Sequence, residues 1–142
     1  MGRSVIMPEA QNYPGKHVDI DPARPPVLDL LTMEWAKISG KVVGVEDKTA
    51  ADKLENPGGL WVSLARLLSG GVFPKHQHPY PQVFIFVEGN GEVELDGEIL
   101  EARPGMVVRM FHGESHEVRN PGTEPLVLYQ ISLPNWRPEK DE

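Results

Sequence analysis

The feature that most restricts the fold is a series of strand-like segments in the second half of the chain, from Leu60 to Leu133. Runs rich in Val, Leu, Ile and Phe alternate there with turn signals every eight to twelve residues. The candidate strands are residues 60–71, 82–91, 92–102, 106–111 and 126–133. Hairpin turns are predicted at Gly89-Asn90-Gly91 and Asp96-Gly97, and a tight turn at Pro104-Gly105. Consecutive antiparallel strands without intervening helices predict an all-β sandwich or small barrel.

The first half of the chain has a weaker pattern. Residues 1–26 are polar and rich in proline, which predicts an extended arm, because proline removes the N–H groups that a central strand needs. Residues 29–45 fit either an amphipathic helix ending at Gly40 or two strands around a Ser-Gly turn, and the strands that follow favour the second. Good helix formers at 49–55 predict a short helix. The expected organisation is an arm at 1–26, a barrel domain at 27–136 and a charged tail at 137–142.

Length and cysteine content limit the sites that such a domain can carry. A chain of 142 residues is one ordinary domain, with enough buried surface to fold without metal or disulfide staples. Any metal is therefore expected to be functional. With no cysteine in the sequence, its ligands must be histidine, carboxylate or amide groups.

Charge and hydropathy exclude several partners. The 14 Lys and Arg against 21 Asp and Glu give a net charge of -7, which argues against binding to a nucleic acid backbone. The N-terminal residues contain no apolar core of a signal peptide, and no run approaches the ~18 apolar residues of a membrane span. We expect a cytoplasmic protein with a small-molecule substrate, no nucleic acid partner and no membrane partner.

The histidines give the clearest chemical signal. His76 and His78 are two residues apart, so on an extended strand both side chains project from one face and can share an ion. Such a pair taken alone also fits two exposed histidines on a surface strand. If the alternation continues, Gln82 lies on the same face, and an antiparallel sheet can bring His116 back beside the pair. Phe84 and Phe86 follow Gln82 on this face and are interpreted either as core or as the wall of a substrate cavity.

The positions of these residues resemble the two sequence motifs of the cupin family. The first motif is matched by Gly70, His76, His78 and Gly89, with Gln82 where cupins usually have Glu. The second is matched by Gly105, Gly113, His116 and Asn120, with Phe111 where cupins usually have Pro. The 15 residues between the motifs, 90–104, fit the short hairpin of small single-domain cupins. The resemblance covers about residues 62–133.

The resemblance implies an antiparallel double-stranded β-helix, or jelly roll, that binds one divalent ion and often forms a homodimer. Carried over by position, the metal ligands are His76, His78, Gln82 and His116. The ion is expected to be Fe, Mn, Ni or Zn. Unlike a glutamate, Gln82 cannot serve as a charged ligand or as a base. The alternative is that Gln82 does not bind the ion and only forms a hydrogen bond between strands.

A group that moves protons must then come from elsewhere on the cavity wall, and further residues are candidates for substrate contact. The candidate catalytic residues are Tyr80, His112 and Tyr129, with Glu114 as a further acid or base. Arg66 and Arg109 are each expected either to reach solvent or to bind a substrate carboxylate.

Three functions fit these features. The first is a dioxygenase-like enzyme, and the second is an isomerase or lyase in which the ion polarises a carbonyl group. The third is a cupin that binds a small ligand without catalysis. The sequence favours an enzyme acting on a small, oxygen-rich organic substrate.

Overall fold

The computed structural model describes residues 27–38, 42–49, 60–110 and 113–133. These residues form nine strands, all paired in antiparallel fashion. The strands are β1 (Ala36–Lys37), β2 (Val43–Thr49), β3 (Trp61–His76), β4 (Gln82–Glu88), β5 (Gly91–Leu95), β6 (Glu98–Ala102), β7 (Val107–Met110), β8 (His116–Arg119) and β9 (Leu126–Ser132). The one helical element in the described residues is a 3-10 turn at Leu30–Thr32. The predicted all-β jelly roll is confirmed.

The 16-residue strand β3 joins the two sides of the barrel. Its first half pairs with β2 and β9, and β9 continues to β4 and β7. Its last residues pair with β8, which continues to β5 and β6. The alternate side chains that face inwards form the core, which includes Leu67, Phe86, Val93, Met110 and Leu128. Because strand side chains alternate between faces, polar residues can occupy the outer surface of the same strands.

Asn120 connects the two sides of the barrel through hydrogen bonds. Its buried side-chain amide donates to the carbonyl oxygens of Leu67 at 2.9 Å and Glu124 at 2.8 Å. Its Oδ1 accepts from the backbone N–H of Gly122 at 3.1 Å. An amide is suited to this position because one side chain supplies both donors and an acceptor.

Several predicted elements differ in the structure. The turn Gly89-Asn90-Gly91 is not a hairpin, because β4 pairs with β9 and β7 whereas β5 pairs with β6 and β8. The chain crosses there from one side of the barrel to the other. The hairpin at Asp96-Gly97 is confirmed, and the tight turn at Pro104-Gly105 lies between β6 and β7. The sequence pattern missed β8 as a strand of its own, since its four residues are too few to show a period.

The N-terminal predictions are tested only in part. The strand interpretation of 29–45 is confirmed by β1 and the start of β2, while residues 39–41 lie outside the described ranges. Thr49 ends β2, and the rest of the expected helix at 49–55 is not described. The arm at 1–26, the end of the domain at 136 and the tail at 137–142 likewise stay predictions. No described helix is long and apolar enough to span a membrane.

Candidate metal centre

A β-bulge in β3 places His76 opposite His116. Phe73 pairs with Val118, but three residues further along β3 pair with only two along β8, so His76 and not Lys75 faces His116. Pro74 lies inside this irregularity, where its missing N–H removes a ladder hydrogen bond. The extra residue also sends Lys75 to the other face, where its Nζ lies 2.8 Å from Oε2 of Glu94. The bulge therefore determines which side chain enters the site.

His78 and Gln82 reach the same site from the connection between β3 and β4. β3 ends at His76, so His78 does not lie on the strand as predicted, and its ring is turned inwards by the following segment. Its Nδ1 bonds to the carbonyl oxygen of Tyr80 at 2.9 Å, and its Nε2 lies 3.0 Å from Oε1 of Gln82. Gln82 is the first residue of β4, and its side chain is buried, as are those of Phe84 and Phe86 on the same face.

Hydrogen bonds to carbonyl groups fix the protons of two rings. Nδ1 of His76 lies 2.8 Å from the carbonyl oxygen of Pro74, and Nδ1 of His78 bonds to Tyr80 in the same way. A carbonyl oxygen can only accept, so each neutral ring carries its proton on Nδ1. The Nε2 atom of each ring then has a lone pair that is available to a metal ion.

His116 is the most buried member of the cluster. The residue is 1% exposed, and neither ring nitrogen has a hydrogen-bond partner in the described part of the chain. The pKa of His116 is lowered from 6.5 to about 4, mainly because the ring is buried and also because His76 and His78 are close, while the backbone and the carboxylate of Glu114 act in the opposite direction. The ring is therefore neutral near pH 7, which is the form that binds a metal ion.

The three imidazoles are positioned to bind one metal ion. One nitrogen atom from each of His76, His78 and His116 lies within 4.8 Å of the other two. Buried polar atoms normally have partners, and the ring nitrogens of His116 have none among the described residues, which suits an imidazole that binds an ion. The convergence of His116 with the His-x-His pair, predicted from sequence, is confirmed.

Each ring of the cluster is also packed against an aromatic side chain. Tyr80 stacks on His78 with 3.9 Å between ring centroids and 7° between planes. Phe73 lies 6.0 Å from His76, and Phe84 lies 5.7 Å from His116. These contacts restrict the imidazoles to one orientation and surround them with apolar groups, which strengthens electrostatic interactions in the site.

A pocket of about 310 Å³ opens beside the cluster. Its wall is formed by Trp61, Phe73, His76, Tyr80, Gln82, Gln130 and Ser132. Ser132 pairs with both Trp61 and Gln82, so these three residues form one row across the sheet. Gln130 lies in the next row with Phe84, and deeper rows are apolar.

The structure brings some of the predicted residues to the site and not others. Tyr80 and Gln82 line the pocket, and Phe84 contacts His116, whereas Phe86 lies deeper in the core with 0% exposure. Tyr129 lies on the opposite face of β9 from Gln130 and Ser132, because side chains alternate along a strand. His112 lies outside the described residues.

Neither arginine is brought to the histidine cluster. The Arg66 guanidinium bonds to Glu46, with Nε 2.8 Å from Oε1, and lies 4.2 Å from the ring centroid of Trp35. Arg109 is exposed on the face of β7 opposite the buried Val108 and Met110, 3.8 Å from Glu114. Their contacts are on the outside of the barrel, so substrate binding by these two residues gains no support.

Sequence analysis missed four residues of the pocket wall: Trp61, Phe73, Gln130 and Ser132. Trp61, Gln130 and Ser132 occupy inward positions on strands that were themselves predicted, whereas Phe73 lies beyond the predicted end of its strand at residue 71. Gln130 and Ser132 could have been found from the sequence, because they continue the alternating series of Leu126 and Leu128 that faces inwards. Polar residues in such a series indicate a pocket at that end of the strand.

The ring of Tyr80 is expected to support ion binding through His78. Tyr80→Leu removes the stacked ring but keeps the backbone carbonyl that bonds to Nδ1, so we expect an affinity for Zn²⁺ about tenfold lower. Tyr80→Phe keeps the ring and should bind Zn²⁺ as the unsubstituted chain does. Competition with a chromophoric chelator measures both affinities, and equal affinities in all three proteins would show that the stacking does not orient His78.

Comparison with known proteins agrees with the fold and the histidine cluster described above. The sequence model of a family described as "Cupin domain" matches residues 63–132. No curated protein sequence matches the chain significantly. The matched residues run from β3 to β9 and include all three clustered histidines.

Solved structures share the fold at low sequence identity. The polyketide cyclase RemF from Streptomyces resistomycificus is 16% identical, with a TM-score of 0.68 over 80% of this chain and 81% of that chain. A predicted oxalate decarboxylase from Thermotoga maritima is 19% identical, with a TM-score of 0.66 over 75% and 97%. KdgF from a Halomonas species is 24% identical, with a TM-score of 0.60 over 71% and 86%. With this common barrel and the family match from β3 to β9, the chain belongs to the cupin family.

Proposed function

We propose that the chain is a metal-dependent enzyme that acts on a small, oxygen-rich organic substrate. The observation that carries this proposal is the unpartnered, buried ring of His116 within a cluster of three imidazoles. The cluster borders a pocket of about 310 Å³, which is at the lower end of the usual size of small-molecule sites. A site that only stabilised the fold would not need this opening.

Gln82 is the proposed fourth ligand. Neutral His78 carries its proton on Nδ1, so its Nε2 and the Oε1 of Gln82 are both acceptors, yet they lie 3.0 Å apart. A cation that both atoms could contact would account for two acceptors at this distance. Three imidazoles and an amide oxygen would suit Fe, Mn, Ni or Zn.

The residues of the chain supply distinct parts of the chemistry. A divalent ion bound here would polarise a carbonyl or hydroxyl oxygen of the substrate. Tyr80 has the titratable hydroxyl group on the described pocket wall, and we propose that it holds or moves the substrate proton. Gln82 contributes no negative charge and so leaves the charge of the ion undiminished. The aromatic residues around the histidines exclude water from the rear of the site.

We favour Lewis-acid chemistry, as in an isomerase or lyase, over dioxygenase chemistry, because an uncharged ligand set increases the attraction of the ion for substrate oxygens. Two proteins of similar fold are described as a polyketide cyclase and a predicted oxalate decarboxylase, which agrees with an enzymatic role. The homodimer stays a prediction.

The test is to load the full chain with one divalent ion and offer it sets of keto acids, sugar acids and phenols. We expect about one ion per chain by elemental analysis, and conversion of at least one compound followed by NMR. An oxygen electrode separates dioxygenase chemistry, which consumes O₂, from isomerase or lyase chemistry. A chain that holds no ion under any loading condition, or equal conversion by His116→Leu, would contradict the proposal.

Substitution of Gln82 tests its place in the ligand set. Gln82→Leu removes the ligand oxygen and should lower the affinity for Zn²⁺ about tenfold, whereas Gln82→Glu adds a negative charge and should raise it by a similar factor. Competition with a chelator provides the measurement. If both variants bind Zn²⁺ as the unsubstituted chain does, Gln82 is not a ligand of the ion.

A further inference from the structure

The pocket beside the histidines has an unusual combination of wall residues. Three aromatic rings, from Trp61, Phe73 and Tyr80, form much of the described lining. The polar groups beyond the proposed ligands are the amide of Gln130 and the hydroxyls of Ser132 and Tyr80. Among the described lining residues there is no Lys, Arg, Asp or Glu.

The placement of these groups indicates how a ligand would lie. Trp61, Ser132 and Gln82 form one row across the sheet, and Trp61 is the first residue of β3. Trp61 is 42% exposed, so part of its ring is available for contact. A planar ligand can stack on this ring while its oxygens face Gln82, Ser132 and the histidine cluster.

The lining disfavours two other classes of ligand. A carboxylate that extends beyond the ion would find no Lys or Arg among the described lining residues to compensate its desolvation. A neutral sugar carries hydroxyls around its whole ring, and each buried hydroxyl needs a partner. Gln130, Ser132 and Tyr80 provide too few polar side chains to satisfy them.

We infer that the site takes a planar aromatic or enolic ligand with adjacent hydroxyl or carbonyl oxygens, and that Trp61 is a specificity-determining residue that stacks on the ligand ring. This inference rests on the proposed metal-dependent function, since the oxygens of the ligand would face the ion. It goes further in naming the substrate class. The pocket volume of about 310 Å³ suits one or two fused rings.

The test uses the full chain loaded with Zn²⁺, and two probes measured by isothermal titration calorimetry. 4-Nitrocatechol represents the planar diols, and galacturonate represents the sugar acids. We expect 4-nitrocatechol to bind at least about tenfold more tightly than galacturonate. Trp61→Leu should weaken 4-nitrocatechol binding about tenfold, and Trp61→Phe, which keeps an aromatic surface, should weaken it less than about threefold.

The zinc content of every sample is measured separately, so the two proposals can fail independently. Tighter binding of galacturonate, or unchanged 4-nitrocatechol binding in a Trp61→Leu variant that retains its zinc, would overturn the inference on ligand class. If the chain holds no zinc but the metal-free protein binds 4-nitrocatechol in a way that depends on Trp61, the metal-dependent function fails and the ligand class stands. A Gln130→Lys variant adds a reciprocal test, because the new charge should increase the affinity for galacturonate at least about tenfold.

Discussion

Replacement of His116 by leucine is expected to remove most of the ion binding while leaving the ion-free protein as stable as before, or more stable. In the ion-free protein, the buried ring has two nitrogens without a hydrogen-bond partner in the described residues, and such groups cost about 1–3 kcal/mol each in desolvation. Leucine has a similar size and no polar atoms. We therefore expect the free energy of unfolding of the ion-free variant to be equal to that of the unsubstituted protein or about 1 kcal/mol higher.

When the ion is present, the unsubstituted protein is expected to be more stable than His116→Leu. For the unsubstituted chain, an ion at 100 times its dissociation constant adds about 2.7 kcal/mol to the free energy of unfolding. His116→Leu loses one of the three imidazole ligands, so its affinity should fall about a hundredfold or more, with little thermal shift on addition of Zn²⁺. Thermal unfolding with and without the ion measures both effects.

His76→Ala is the matched control, because His76 is also in the cluster but is exposed in the ion-free protein. It should lose ion affinity without any gain in ion-free stability. A large loss of ion-free stability in His116→Leu would show that the ring is there for packing and not for an ion.

The largest effect on folding is expected from Gly89→Ala. Gly89 has a φ of 83°, in the left-handed region, where the chain crosses between β4 and β5. A Cβ at this position would collide with the carbonyl oxygen of Pro125 and would lie 3.1 Å from the Cα of Leu126. Both contacts are with backbone atoms that begin β9, so relief would require β9 to move. We expect a loss of at least about 4 kcal/mol in the free energy of unfolding, at the upper end for single substitutions.

Gly97→Ala separates the cost of an unfavourable backbone conformation from the cost of a steric clash. Gly97 has a φ of 90° in the hairpin between β5 and β6, but a Cβ there would meet nothing within 4 Å. It should therefore show only the conformational cost of about 1–2 kcal/mol. Urea unfolding, together with the soluble fraction on expression, compares the two variants. Equal losses would mean that the contact with Pro125 relaxes at no cost.

The fold was predictable where local chemistry decides the structure. The inward series Phe84 and Phe86 and the turn at Asp96-Gly97 depend on neighbouring residues alone, and both appear in the structure as expected. The turn at Gly89 was predicted as a hairpin because glycine permits a sharp reversal both in a hairpin and in a crossing from one side of the barrel to the other. Which strand lies beside β4 depends on residues 126–132, which are far away in the sequence.

The residues of the candidate site were likewise predictable only in part. The spacing of His76 and His78 identified two members of the cluster, and the second motif identified the third. The pocket wall was predictable only in part. Gln130 and Ser132 stand out as polar residues in an inward series, but only the register of β9 against β3 and β4 places them beside Trp61 and Gln82. For Arg66 the sequence left both a surface role and substrate binding open, and its contacts with Glu46 and Trp35 favour the surface role.

The sequence by itself determined the antiparallel barrel and the three histidines, since alternation and motif spacing are properties of short segments. Only the tertiary structure decided that His76 enters the barrel and Lys75 does not. Side-chain direction in a strand has a period of two, so the one extra residue at the bulge around Pro74 exchanges the faces on which Lys75 and His76 lie. A bulge forms only if the paired strand β8 and the packing of both sheets favour it, and that balance depends on the whole fold.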